Sequence, residues 1–281
     1  MIKALLRLIR SPYWLLLGIT SVTFVIMFQG GLYNLRVMGI VFLVVTTTSA
    51  GGFAINDYFD RESDAIAKSH RPIPSKQIDS TRALQLSVLL FVFGIALSLA
   101  VNLLAFAVVA FTVLLLLLYS PLFKRLSGFL SNVVIGIIML TVPLFSEAAA
   151  LQRISVVSLS FVALTLWAIG RNVCKDIINV EGDVRAGYPT LVAVRGTHFA
   201  ATVGALFCLF SIITSPFPYV MNVVSAAYLV PMVLWECALF YLILCIFKNP
   251  DILHVEKLLR VTSLALLIYP IALVSGTFFV P

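Results

Sequence analysis

Residues 37–64 read VMGIVFLVVTTTSAGGFAINDYFDRESD. The first part, 37–55, carries no charge, and about 20 such residues take a helix across the hydrocarbon of a bilayer. At Asn56 the run gives way to Asp57, Asp60, Glu62 and Asp64. A membrane span ending in clustered acid is the pattern from which the rest of the chain is read.

The whole chain fits that first span. Of 281 residues, 61% are hydrophobic and 11% charged, and mean hydropathy is +1.09. Soluble domains carry roughly a quarter charged residues. So little polar surface rules out a sizeable soluble domain and leaves the bilayer as solvent. Further apolar runs lie at approximately 12–30, 83–101, 104–121, 128–147, 154–173, 198–214, 222–246 and 261–279. In lipid the backbone must bond within each segment, so each run is expected to be a helix. The expected fold is all-α and polytopic, about nine transmembrane helices around a central cavity open to the cytoplasm, in one domain over 1–281. Two runs nearly touch at Asn102, where a tight turn is expected. Met1 to Arg10 is basic and leads into the first run without a convincing cleavage site, so that span is expected to be retained. Cys174, Cys208, Cys237 and Cys245 lack paired spacing and are expected to be buried thiols.

The net charge of +7 would suggest nucleic acid for a soluble protein. Here the charges sit in short loops, and no nucleic-acid partner is expected. Alternating nine spans places all of the 19 basic residues except Arg36 and Arg153 on one side. The positive-inside rule makes that side cytoplasmic. The expected location is the cell membrane, with the N-terminus and active site in the cytoplasm and Pro281 outside.

That rule does not account for the acids. On a helix, Asp57, Asp60 and Asp64 fall at i, i+3 and i+7, while Asn56, Asp60 and Asp64 fall at i, i+4 and i+8. Both sets share a face. The second segment, Asp176-Ile-Ile-Asn179-Val-Glu181-Gly-Asp183, repeats the spacing with Asn179 in the middle. Carboxylates stacked at a helix C-terminus repel one another and oppose the dipole. Such an arrangement needs a neutralising cation, and clustered oxygen ligands suit Mg²⁺. Four spans separate the segments, so both emerge on one side, as a clamp for a diphosphate would. Lys68 to Lys76 and Arg185 to Arg195 form basic loops after the two segments, like a weak internal repeat. Pro72 and Pro74 stiffen the loop bearing Arg71. Tyr119, Lys124 and Arg125 cap the fourth span, and Arg171 and Lys175 precede Asn179 on the sixth. Taken alone, Lys124 with Arg125, and Arg71 with Lys76, also read as topology determinants. Glu62 and Glu181 read as solvated, and Glu236 as snorkelling or polar-paired.

With these motifs the chain resembles the UbiA superfamily of intramembrane prenyltransferases. The family's Asn-Asp-x-x-Asp-x-x-x-Asp is present as Asn56, Asp57, Asp60 and Asp64, followed by Arg71-Pro72-Ile73-Pro74-Ser75. Tyr119 to Lys124 is similar to the family's element after the fourth helix. Lys175-Asp176 through Asp183 is similar to archaeal members that make digeranylgeranylglyceryl phosphate.

The resemblance implies two Mg²⁺ ions bridging a prenyl diphosphate. Asn56, Asp57, Asp60 and Asp64 would hold one, and Asp176, Asn179 and Asp183 the other. The five aspartates Asp57, Asp60, Asp64, Asp176 and Asp183 are the expected catalytic carboxylates. Lys68, Arg71, Tyr119, Lys124, Arg171 and Lys175 are the expected diphosphate ligands. The isoprenoid tail would lie in an apolar tunnel open to membrane lipids. An allylic carbocation would form there and be captured by a lipophilic acceptor. The implied reaction is Mg²⁺-dependent transfer of a prenyl group, geranylgeranyl, to a lipid precursor such as geranylgeranylglyceryl phosphate in membrane lipid biosynthesis. An aromatic quinone precursor is the alternative acceptor. Two positions depart from the pattern: Asn179 stands in place of Asp, and Asn172 stands where archaeal relatives often carry Glu. A cation-coupled transporter would place its acids near the bilayer midplane, whereas these lie at one edge.

Overall fold

The computed structural model describes residues 2–248 and 251–278, and Pro281 lies outside them. The long helices are α1 (Tyr13–Gln29), α2 (Leu35–Phe59), α3 (Ser80–Leu99), α4 (Leu103–Leu118), α5 (Gly128–Leu151), α6 (Val162–Arg185), α7 (Thr197–Thr214), α8 (Leu229–Lys248), α9 (Ile252–Ala265) and α10 (Ile268–Phe278). No strand occurs among the described residues. Eight helical stretches there are long and apolar enough to cross a membrane. The count becomes up to nine when Ile2–Leu8 and α1, bent by 57° at their junction, form one span.

Local chemistry sets the ends. Gly30 closes α1 at φ 69°, and the Gly30 and Gly31 N–H groups bond to Met27 and Ile26 carbonyls in a Schellman arrangement. At the expected turn, Asn102 Oδ1 accepts from Ala105 N–H at 2.7 Å while Asn102 Nδ2 donates to the Ala148 carbonyl at 2.9 Å. One side chain thus caps α4 and ties it to α5.

From α1 to α9 consecutive helices pack side by side, and α10 packs on α8 and returns to α1, so the bundle closes on itself. Where α6 meets α7, two glycines let the backbones approach. A Cβ on Gly170 would lie 2.6 Å from the Gly204 carbonyl oxygen, closer than any real contact allows. With little hydrophobic drive between helices in lipid, such close packing holds the pair. Phe24, Phe161, Trp235 and Tyr269 fill the centre between α1, α6, α8 and α10, with the Phe24 and Phe161 rings edge-to-face at 4.7 Å. The outer surface exposes Leu89, Val92, Leu114, Phe210, Leu234 and Leu244, as a lipid-facing surface requires.

Several boundaries differ from the sequence reading. The sixth span starts later and runs on to Arg185, because the helix carries an apolar face past Val173 toward Ile177 while presenting its acids on another. The last run is two helices, α9 and α10. The helix of the second span does not run unbroken to Asp64. It stops at Phe59 and resumes as Arg61–Ala67, with Asp60 as the shared cap. The hydrogen-bond ladder still passes through the break, from Asp60 N–H to Asn56 and from Asp64 N–H to Asp60. The predicted one-sided stacking of the acids therefore survives.

Candidate active site

The break at Asp60 packs the Arg61–Ala67 helix against α6, so the two acidic segments meet. Asp57, Asp60, Asp64 and Asp183 are each no more than 6% exposed. Lys124 joins them: its Nζ lies 3.3 Å from Asp60 Oδ2 and 3.1 Å from Asp183 Oδ1. A π-helical turn, Tyr119–Phe123, makes this reach possible. Residues five apart on an α-helix are separated by about 140° around the axis. The wider turn, closed by Lys124 N–H bonding to the Tyr119 carbonyl, brings Tyr119 and Lys124 toward one side. The sequence reading ran the fourth span straight through to residue 121. Pro121, with no N–H to give the ladder, accompanies the change.

The remaining carboxylates are paired as well. Arg10 Nη2 lies 2.7 Å from Asp57 Oδ1, and Arg71 Nη1 lies 3.0 Å from the same oxygen while also donating to Asp64 Oδ2. Lys68 Nζ is 3.6 Å from Asp64. Burial, and then the neighbouring Arg71 charge, push Lys68 down to about 8. Asn56 Nδ2 donates to Asp60 Oδ2 at 2.9 Å, and Tyr188 OH donates to Asp60 Oδ1 at 3.4 Å. The repulsion that called for a cation is therefore answered in this structure by guanidinium and ammonium groups. No three acidic, histidine or cysteine side chains converge into a ready ion cage among the described residues.

The second segment keeps open acceptors. Asn132 Nδ2 donates to Asp176 Oδ2 at 2.9 Å, and Asn172 Nδ2 donates to Asn132 Oδ1 at 2.6 Å. Asn179 Oδ1 and Asp183 Oδ2 are buried and have no hydrogen-bond partner among the described residues. A buried oxygen without a donor is costly. Two such oxygens beside paired carboxylates fit a hard divalent cation, which takes carboxylate and amide oxygens alike.

Beside this polar rim opens a cavity of about 300 Å³. Most of its wall is apolar, with Val45, Val109, Ile138, Val142 and Phe145 among the lining residues. The polar groups that line it include Asn56, Tyr119, Asn172, Lys175, Arg171 and Arg10. An apolar pocket with a few placed polar groups is the form of a ligand site. Of the expected residues, Asp57, Asp64, Lys68 and Arg71 form one ion-paired group with Arg10, and Asp60, Lys124 and Asp183 form a second. Asn56 reaches the second group through Asp60 and also lines the cavity, as Tyr119 does. Arg171 and Lys175 face the cavity without joining either group.

The sequence reading did not assign Arg10, Asn132 or Tyr188 to the site. Arg10 was masked by the other basic residues of the N-terminal segment. Asn132 carried a usable signal, since a lone amide in an apolar run must find a partner. Glu62 and Glu181 are solvated as expected, with side chains 89% and 69% exposed. Glu236 is polar-paired, accepting from Ser215 Oγ.

Comparison with known proteins places this geometry. The profile of the UbiA prenyltransferase family matches residues 16–277. The digeranylgeranylglyceryl phosphate synthase of Thermococcus gammatolerans is 32% identical over 270 residues, covering 95% of this chain and 96% of that one. A solved structure concerned with digeranylgeranylglyceryl phosphate synthase superposes with a TM-score of 0.75 at 26% identity and covers 99% of both chains. A UbiA homologue from Archaeoglobus fulgidus, solved bound to GPP and Mg²⁺, shares the fold with a TM-score of 0.68 at 17% identity, covering 97% of this chain and 99% of that one.

Proposed function

The chain belongs to the UbiA prenyltransferase family, and from that premise we propose that this multi-pass membrane prenyltransferase uses Mg²⁺ to move a geranylgeranyl group from its diphosphate to geranylgeranylglyceryl phosphate. The observation that carries the reading is the Lys124 bridge between Asp60 and Asp183, which sets both acidic segments at the head of an apolar cavity. The likeness to synthases of that name supports the acceptor.

Asn56, Asp57, Asp60 and Asp64 would hold one Mg²⁺, and Asp176, Asn179 and Asp183 a second. Bound there, the metal supplies charge to neutralise the leaving diphosphate. Lys68, Arg71, Tyr119, Lys124 and Lys175 bind diphosphate oxygens, the cations as charge partners and the phenol as a donor. Arg71 and Lys124 are paired with Asp57 and Asp60 in this structure, which keeps two cations beside the acids proposed to meet the diphosphate. The C1–O bond of the donor breaks, and its electron pair leaves with the diphosphate. The acceptor hydroxyl oxygen bonds to C1 and gives its proton to the departing diphosphate, leaving an ether. The apolar wall around Phe145 and Val142 keeps water from the allylic cation.

The site opens to the cytoplasm in this reading, with the N-terminus inside and the chain acting as one domain. The one-sided distribution of Lys and Arg supports that orientation.

The test is incubation of purified protein with labelled geranylgeranyl diphosphate, Mg²⁺ and a panel of acceptors, reading product mass. The expected product is geranylgeranylglyceryl phosphate enlarged by one geranylgeranyl unit. Product only with an aromatic acceptor, or none with any, contradicts the proposal.

A further inference from the structure

Helix α6 carries two polar stripes. Asn172, Asp176, Asn179 and Asp183 follow i, i+4, i+7 and i+11 and face the Asn132, Tyr119 and Lys124 side. Arg171 and Lys175, also i and i+4, lie about 100° around the axis. Both line the cavity, and neither has a carboxylate within 4.0 Å among the described residues. Arg171 turns to α9, where its Nη2 and Nε donate to Ser263 Oγ at 2.7 and 3.1 Å. That hydroxyl is committed, donating to the Leu259 carbonyl at 2.6 Å. The guanidinium carbon also lies 5.9 Å from the ring of the buried Trp167.

Like charges at i and i+4 repel. A cation in a membrane-spanning helix without a counter-charge is costly and marks a function. The ion-paired cations of the site, Arg10, Arg71, Lys68 and Lys124, already have carboxylates. Arg171 is the lining arginine with only neutral partners, and it is held by Ser263 and Trp167 rather than left to swing. Its planar fork suits a bidentate phosphate contact.

We propose that Arg171, positioned by Ser263, binds the anionic phosphate headgroup of the acceptor, not the diphosphate of the donor, and so selects phosphorylated lipid acceptors. This rests on the prenyl-transfer reading above and refines it. The sequence grouped Arg171 with the diphosphate ligands because it shares a helix with them. The structure places it against a different helix from theirs.

Steady-state kinetics of Arg171→Met separates the roles. The expected result is an acceptor KM raised tenfold or more with the donor KM changed less than twofold, the latter also showing that the site is folded. Neutral geranylgeranylglycerol should be used equally poorly by wild type and variant. Ser263→Ala, a milder change, should raise the acceptor KM two- to fivefold, and Arg171→Lys should recover part of the loss. A raised donor KM, or unchanged values for both, overturns the proposal. A defect that added anionic phospholipid vesicles abolish assigns the cation to a bystander lipid and also overturns it. Wild-type protein that makes no product with any acceptor is a different outcome, which sinks prenyl transfer itself.

Discussion

Asp60 and Asp183 share a single ammonium: Lys124 Nζ lies 3.3 Å from one and 3.1 Å from the other. The contact joins the end of α2 to the end of α6 through a residue of the segment after α4. Three distant parts of the chain are fixed around one point. That point lies where the polar rim meets the apolar cavity, so it relates the fold directly to the chemistry.

Removing that ammonium should expose what it neutralises. Lys124→Met leaves Asp60 and Asp183 buried without their cation, and breaking such a group costs about 3–5 kcal/mol. In chelator, the thermal midpoint of the variant should fall clearly below that of wild type. Added Mg²⁺ should raise it by more than it raises wild type. Equal midpoints in chelator would show that the bridge contributes nothing.

Asp60 receives Asn56, Tyr188 and Lys124 and sits at the helix break. Asp60→Ala should reduce kcat by about 10²–10³-fold, the scale of losing one charge-stabilising group. Membrane insertion should be unchanged. Full activity in a correctly inserted variant argues against the first acidic segment as the metal side of the site.

Asn179 Oδ1 is buried and has no partner among the described residues. Asn179→Asp adds the charge that a second metal would use, and should lower the Mg²⁺ concentration for half-maximal turnover several-fold. An unchanged Mg²⁺ dependence removes Asn179 from the metal set.

The approach of α6 to α7 is purely steric at Gly170. Gly170→Ala drives a Cβ toward the Gly204 carbonyl and should cost about 1–3 kcal/mol. The measured quantity is the unfolding midpoint in detergent. A neutral substitution there would mean that the two helices can part without loss.

Much of the architecture could be read from hydropathy alone, because lipid forces each long apolar run to satisfy its own backbone. The acidic motifs were equally legible, since their spacing predicts a shared face whether the helix is whole or, as at Asp60, interrupted. Periodicity could not announce the π turn at Tyr119, which depends on how the chain leaves α4. The partners Arg10 and Tyr188 were also hidden. Their roles follow from the closing of the bundle, which brings residues far apart in sequence onto Asp57 and Asp60. Arg171 lines the cavity, but the helix that it faces, α9, was decided only by packing.

The central claim is that the two acidic segments act as one binding unit. The most direct test is a double-mutant cycle on Mg²⁺-dependent binding of a non-reactive geranylgeranyl thiolodiphosphate, using Asp60→Ala, Asp183→Ala and the pair. Each single change should weaken binding strongly, and the double variant should lose far less than the product of the two losses. Losses that simply multiply, or wild-type affinity in Asp183→Ala, would contradict the account.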